Sequence, residues 1–336
     1  MKLATYKDGT RDGQLVVVSR DLSTAHYATG IATRMQQALD DWGFIAPQLQ
    51  DLYETLNNGK ARHAFAFDPA LCMAPLPRAF QWVSGSAYLS HVTTVRHALK
   101  LDLPNDTLET DPLMSQGSGD SFHGAQDQVL CTDPAVGLDF EAELAVITAD
   151  VPMGASADEA LEAVRLVMLA NDVTLRFVAK NELPKGLGNV QAKPGTVFSP
   201  VAVTPDELGD AWRDGRVHLT VQSAVNGRKV GMCDAGADMA FHFGQLIAHL
   251  SQTRAVRAGT VVGSGAVSNA AVDNNGKQEW PKGASCLIEK RAIEILLDGQ
   301  ATTDYLKVDD TVRIEVKTKD GQSVFGAIDQ KVVAPQ

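Results

Sequence analysis

The chain has 336 residues, 44% of them hydrophobic, enough for a large buried core in one big domain or one domain with a small appendage. Its formal net charge of -11 argues against nucleic acid and anionic membrane as partners, and no apolar run approaches the roughly 20 residues that span a bilayer. Cys72, Cys131, Cys233 and Cys286 are widely separated, form no Cys-x-x-Cys pair and follow no signal peptide at Met1-Lys2-Leu3-Ala4, so they read as reduced, buried thiols of a cytoplasmic protein.

In chain order, Gln14 to Ser19 predicts a strand, Ala32 to Trp42 a helix and Ile45 to Asn57 a second helix, which together make residues 1–72 a small N-terminal unit. Met73-Ala-Pro-Leu-Pro-Arg78 is a linker, because paired prolines favour extended backbone and stop helices; residues 73–336 follow as the larger domain. Ser156-Ala-Asp-Glu159 is a capping box opening a helix that leads toward Asp172. Val217 to Val225 followed by Asn226-Gly227 signals a hairpin, since that dipeptide tolerates positive φ. Met239 to Ser251 has the helical spacing of Phe243, Leu246, Ile247 and Leu250, and Val312 to Val316 with Val324 to Ile328 predicts a second hairpin about Lys319-Asp320-Gly321. The order lacks a regular βαβ rhythm, which makes the fold class α+β and β-rich.

The chemistry concentrates in Leu138-Asp-Phe-Glu-Ala-Glu-Leu-Ala-Val-Ile147. Strand side chains alternate, so Glu141 and Glu143 share one face with Cβ atoms about 7 Å apart. That face continues as Ala145 and Ile147, while Phe140, Ala142 and Leu144 occupy the other, so neither reads as freely solvated. Two carboxylates on a partly buried face repel and lose hydration unless a cation compensates or one takes a proton. A lone Glu-x-Glu is more often the wet side of an amphipathic strand; here Asp172, closing the apolar run from Leu166, supplies a third acid. An all-carboxylate set suits a hard cation, Mg²⁺ first, with Ca²⁺ or Mn²⁺ as alternatives.

These residues carry a resemblance to the fumarylacetoacetate hydrolase family over roughly Leu71 to Val332. The family's Glu-x-Glu plus downstream Asp matches Glu141, Glu143 and Asp172, and Asn171-Asp172-Val-Thr-Leu-Arg176 is similar to its Asn-Asp-x-Ser/Thr-x-Arg run. The proline linker and Ser86-Ala-Tyr88-Leu-Ser-His91 resemble the segment that opens the family's catalytic domain, Ala192-Lys193-Pro194 its lysine segment, and Ala258-Gly259-Thr-Val-Val-Gly-Ser264-Gly265 its late glycine-rich strand end.

The resemblance implies a mixed β-roll catalytic domain, a homodimer, and metal-dependent cleavage of a carbon–carbon bond in a fumarylacetoacetate-like or acylpyruvate-like keto acid, as in aromatic amino acid breakdown. It also implies roles: Glu141, Glu143 and Asp172 on the metal, His91 as the base that activates water, Lys193 and Arg176 on the substrate carboxylate or the developing oxyanion, Tyr88 and Gly265 at the substrate. Backbone groups near Gly263 to Gly265 are expected to assist. The chain departs from the family at Ser86, where fumarylacetoacetases carry a further aspartate, at Thr94, where acylpyruvate hydrolases carry a glutamate beside the histidine, and at Ala266 and Ala179. Glu182 or an acid of the N-terminal unit is then expected to support His91. A related decarboxylase, isomerase or hydratase, or a noncatalytic metal-binding relative, are the alternative readings.

Overall fold

The centre of the fold is an antiparallel strand pair, Ala142–Thr148 against Val164–Asp172, in which Glu143 faces Ala170 and Ala145 faces Met168. The computed structural model describes residues 1–102, 108–186 and 188–335. The pair is the middle of a 12-stranded mixed sheet. On one side Val164–Asp172 pairs with Thr196–Phe198 and Ala202–Val203. Ala202–Val203 joins Lys2–Tyr6, which leads to Gln14–Val18, Thr24–Tyr27 and Phe65–Ala66. On the other side Ala142–Thr148 pairs with Val261–Gly263, followed by Trp82–Gly85 and Met114–Gly117. A five-stranded sheet carries Arg228–Asp234, Thr220–Val225, Thr311–Val316, Ile328–Val333 and Val129–Leu130. The β-rich α+β expectation holds.

Both faces of the central pair are covered, which explains its apolar sequence. Leu144, Val146, Val167 and Leu169 enter one core with Phe241, Phe243 and Leu246. Ala145, Ile147, Leu166 and Met168 enter a second core with Leu39, Ile45, Leu49 and Tyr53 of the N-terminal helices. The first 70 residues thus continue the sheet by backbone pairing and also cover one of its faces. No described helix is long and apolar enough to cross a membrane.

Several predicted boundaries move. The helix expected over Ala32 to Trp42 is confined to Met35–Asp40, and the next begins three residues before Ile45, as Trp42–Asn57. The helix expected from Met239 starts at Phe243, because Met239 bridges to the backbone of Tyr88 and His242 caps the first turn, its N–H donating to Gln245 Oε1 at 2.9 Å. The late hairpin pairs Thr311–Val316 with Ile328–Val333 rather than Val324 to Ile328, since Lys317 and Ser323 close the loop across an isolated bridge. The Asn226-Gly227 turn forms as read, with φ of 52° and 72°, and Ser156 and Glu159 complete their reciprocal cap ahead of Ala157–Glu162. All four cysteines are free and buried.

Candidate metal centre and active site

Register rather than sequence spacing assembles the three acids. Ala142 pairs with Asn171, so the next step along the ladder brings Asp172 opposite Glu141, and the Asp172 N–H donates to the Glu141 carbonyl at 3.1 Å. On this face the apolar row of Ile147, Ala145, Leu166 and Met168 gives way to Glu143, Glu141 and Asp172, whose carboxylate oxygens lie within 4.8 Å of one another. All three are buried.

Each acid has its own partners. Glu143 accepts from Ser84 Oγ at 3.0 Å and from the Gly265 N–H at 3.0 Å. Asp172 accepts from Thr196 Oγ1 at 3.0 Å and from Lys193 Nζ at 2.6 Å. Glu141 accepts from Thr174 Oγ1 at 2.5 Å and Lys193 Nζ at 3.0 Å, with an Arg176 terminal nitrogen 2.9 Å away. Arg176 opens the helix Arg176–Glu182, and its Nε donates to Asp139 Oδ2 at 2.8 Å. Asp139 is fully buried and also accepts from the N–H groups of Leu287 and Ile288, at 2.7 and 2.9 Å. It therefore ties the guanidinium to the first turn of helix Leu287–Asp298, where a carboxylate is favoured by the helix dipole.

Burial opposes ionisation at every one of these groups, and neighbours decide the outcome. At Glu141 burial is outweighed by Lys193, Arg176 and the Thr174 hydroxyl, which hold its carboxyl well below the usual range. At Glu143 burial acts together with the charges of Asp172 and Glu141, and its carboxyl is pushed well up. Burial also raises Asp139 against the pull of Arg176.

His91 lies in helix Leu89–Ala98 and reaches the same cavity. Its Nδ1 is 3.4 Å from Oε2 of Glu289, a residue with no exposed surface on helix Leu287–Asp298. Burial lowers the histidine, but Glu289 outweighs it and the imidazole ends above its ordinary value. The cavity, of about 180 Å³, is lined by His91, Glu141, Asp172, Arg176 and Lys193 together with Ser84, Ser86 and Ser115.

Comparison with known proteins bears on the family and the fold. Residues 81–333 match the fumarylacetoacetate (FAA) hydrolase C-terminal family and residues 1–78 the fumarylacetoacetase N-terminal domain 2. The chain belongs to the fumarylacetoacetate hydrolase family. It is 33% identical over 159 residues to a 2,4-didehydro-3-deoxy-L-rhamnonate hydrolase of Sphingomonas sp. (strain SKA58), a match covering 46% of this chain and 52% of that relative, so it spans about half the relative's length. The maleylpyruvate hydrolase of Sphingobium sp. SYK-6, solved with manganese(II) and pyruvate, superposes over all of both chains with a TM-score of 0.65 at 16% identity. The fumarylacetoacetate hydrolase of psychrophilic Exiguobacterium antarcticum does so with a TM-score of 0.64 at 19% identity. At these identities the solved structures show the fold alone.

The family's acidic residues fit a divalent cation here on their own chemistry. Four neighbouring buried carboxyls, Asp139, Glu141, Glu143 and Asp172, face two fixed cations, Lys193 and Arg176, so full ionisation leaves two negative charges uncompensated. Glu143, driven toward its protonated form, is where that deficit shows. Oxygen-only donors suit Mg²⁺, Mn²⁺ or Ca²⁺.

The structure gathers Glu141, Glu143, Asp172, His91, Arg176, Lys193, Tyr88 and Gly265 about one cavity, not always in the expected attitude, and leaves Thr94 and Glu182 outside its lining. Tyr88 is buried, with its hydroxyl donating to the Ala235 carbonyl at 2.7 Å. The Gly265 N–H is engaged by Glu143 instead of facing the cavity, and at φ 80° a Cβ there would stand 2.2 Å from the Gly85 carbonyl oxygen. Thr94 is buried and accepts from Trp280 Nε1 at 3.1 Å. Glu182 does not support His91: it accepts the N–H groups of Val190, Gln191 and Ala192 and so pins the segment that carries Lys193. The acid beside His91 is Glu289, and the acid behind Arg176 is Asp139. Asp139, two residues before Glu141, lay inside the motif already read; Glu289 sits in an ordinary amphipathic helix and gave no local sign.

Proposed function

We propose that this protein is a divalent-metal-dependent hydrolase that cleaves a carbon–carbon bond in a small β-diketo acid of the fumarylacetoacetate or acylpyruvate type. One observation carries the reading: a three-carboxylate cluster, two fixed cations and a carboxylate-supported histidine meet in a single polar cavity. Glu141, Glu143 and Asp172 would hold the cation, Mg²⁺ by first preference and Mn²⁺ or Ca²⁺ otherwise, which when bound supplies Lewis-acid polarisation of the neighbouring keto oxygens.

The remaining steps belong to the chain's own groups. His91, with its Nδ1 proton directed at Glu289, presents Nε2 as the acceptor for a proton from water. The resulting hydroxide adds to the carbonyl carbon, the carbon–carbon bond breaks, and the proton held on His91 is returned to the departing carbon. Lys193 and Arg176 bind the substrate carboxylate and the negative charge that develops on oxygen, positioned by Glu182 and Asp139 respectively. Fixing these cations in advance reduces reorganisation during the reaction.

Ser84, Ser86 and Ser115 in the lining favour a substrate with hydroxyl or further carbonyl oxygens over one with an apolar tail. That supports, as a second reading of the same chemistry, a hydroxylated diketo acid such as the one named for the Sphingomonas relative. Place in aromatic amino acid catabolism and homodimerisation are parts of the proposal that rest on the family resemblance; division into units 1–72 and 73–336 rests on the proline linker, and a cytoplasmic site on the reduced, widely spaced thiols.

The test is loss of near-ultraviolet absorbance of fumarylacetoacetate, a panel of acylpyruvates and a hydroxylated 2,4-diketo acid, using chelator-stripped protein before and after addition of Mg²⁺ or Mn²⁺. Metal-dependent cleavage of a panel member supports the hydrolase and identifies the acyl side. No turnover on any of them, with divalent binding intact, overturns the hydrolase in favour of a different keto-acid reaction or a binding protein.

A further inference from the structure

A second ligand set borders the cavity. His91 Nδ1, Cys286 Sγ and a Glu289 carboxylate oxygen lie within 4.8 Å of one another, with Sγ 3.9 Å and Oε2 3.4 Å from Nδ1. The first set offers carboxylate oxygen alone; this one offers sulfur, nitrogen and oxygen. Bond lengths of about 2.3 Å to thiolate and about 2.0–2.1 Å to imidazole and carboxylate put the ligand atoms of a tetrahedral zinc roughly 3.3–3.6 Å apart. The Sγ–Nδ1 edge therefore needs to contract by only a few tenths of an ångström, the Nδ1–Oε2 edge already fits, and the edge from Sγ to the carboxylate lies within 4.8 Å.

Glu289 bears on the same point. Its Oε1 accepts from Ser268 Oγ, while the buried Oε2 makes no hydrogen bond of normal geometry and has only the long 3.4 Å contact with His91 Nδ1, which a bound cation would replace. His91 is the exposed member, with 19% of its side chain accessible at the cavity, so an ion can arrive from that side and water can supply a fourth ligand.

We propose that Cys286, His91 and Glu289 form a second, soft-metal site that takes Zn²⁺. Binding exchanges the thiol proton for the metal, releasing that proton to solvent, and moves the histidine proton from Nδ1 to Nε2. An imidazole bound through Nδ1 and protonated at Nε2 has no lone pair left to accept a proton from water. The ion thus removes the candidate base while leaving the three-carboxylate cluster free. The site itself stands apart from the hydrolase reading; only the inhibition rests on it.

Co²⁺ is the probe, because thiolate ligation gives it a charge-transfer band in the near ultraviolet that oxygen ligands do not. Metal-free full-length protein titrated with Co²⁺ is expected to develop that band, Zn²⁺ to abolish it, and Cys286→Ser to lack it. The band should persist in Glu141→Gln and Cys233→Ser. His91→Gln, altered at the accessible ligand and therefore the safer variant for folding, should weaken Co²⁺ affinity about tenfold or more. Absence of the band in the wild-type protein, its survival in folded Cys286→Ser, or unchanged affinity in His91→Gln overturns the site. Because the readout is spectroscopic, failure of the hydrolase assay does not touch it; a band without inhibition would overturn only the role given to His91.

Discussion

Glu289 stands 3.4 Å behind His91, with one carboxylate oxygen held by Ser268 and the other turned toward the imidazole. Because this carboxylate holds the histidine above its ordinary value, removing its charge lowers the histidine pKa. Glu289→Gln should therefore move the acidic limb of the kcat/KM profile to lower pH. The weaker and less oriented base should reduce kcat by about tenfold to a hundredfold, within the range general-base catalysis supplies. A pH–rate profile checks both; an acidic limb that stays in place would separate Glu289 from the base.

Asp139 links Arg176 to the first turn of helix Leu287–Asp298 and has no exposed surface. Asp139→Ala leaves the buried guanidinium with Glu141 alone and two helix N–H groups without their acceptor. It should cost about 3–5 kcal/mol, the range for breaking a buried charge pair from one side. Urea unfolding of the variant measures this. Asp139→Asn keeps an oxygen acceptor and should lose less stability than the alanine variant while still loosening Arg176.

Burial and two neighbouring acids push Glu143 well up, so proton and metal compete at that carboxyl. Divalent affinity should rise with pH, with proton release on binding, which calorimetry in buffers of differing ionisation enthalpy detects. Glu141→Ala and Asp172→Ala should abolish tight binding in a folded protein. Removing metal from the wild type should lower stability by about 2.7 kcal/mol relative to protein with free metal at a hundred times its dissociation constant.

Glu207 is the acid on which the N-terminal strands and helix converge: Arg20 Nε donates to it at 3.0 Å and the Tyr53 hydroxyl at 2.7 Å. Burial raises its carboxyl, but Arg20 and Tyr53 outweigh this and the net shift from 4.5 is downward. A depressed carboxyl contributes stability that is fully present above the unfolded value and is lost as pH falls through the folded value. Glu207→Gln should cost about 1–3 kcal/mol at pH 7, and the gap to the wild type should narrow as the pH drops below 4.5. Paired thermal melts across that range provide the check.

Some of this was fixed locally. The Ser156 cap, the Asn226-Gly227 turn and the alternation from Phe140 to Ile147 depend on neighbours in sequence, and they form as read. The strand period likewise puts Glu141 and Glu143 on one face, Asp172 stands out as the acid closing the apolar run from Leu166, and the family resemblance adds Arg176, Lys193 and His91. What the chain could not state by itself was register and partnership. Asp172 meets Glu141 because Ala142 pairs with Asn171, and the polar end of that face is enclosed by Lys193, Arg176 and Thr196 while the N-terminal helices cover its apolar end. Glu289 reaches His91, and Glu182 turns to the Lys193 segment, because tertiary packing sets the distance between helices that sequence spacing leaves open. Side-chain direction along one strand is a local property of the backbone; which charge faces which across the core is decided by the packing of distant elements.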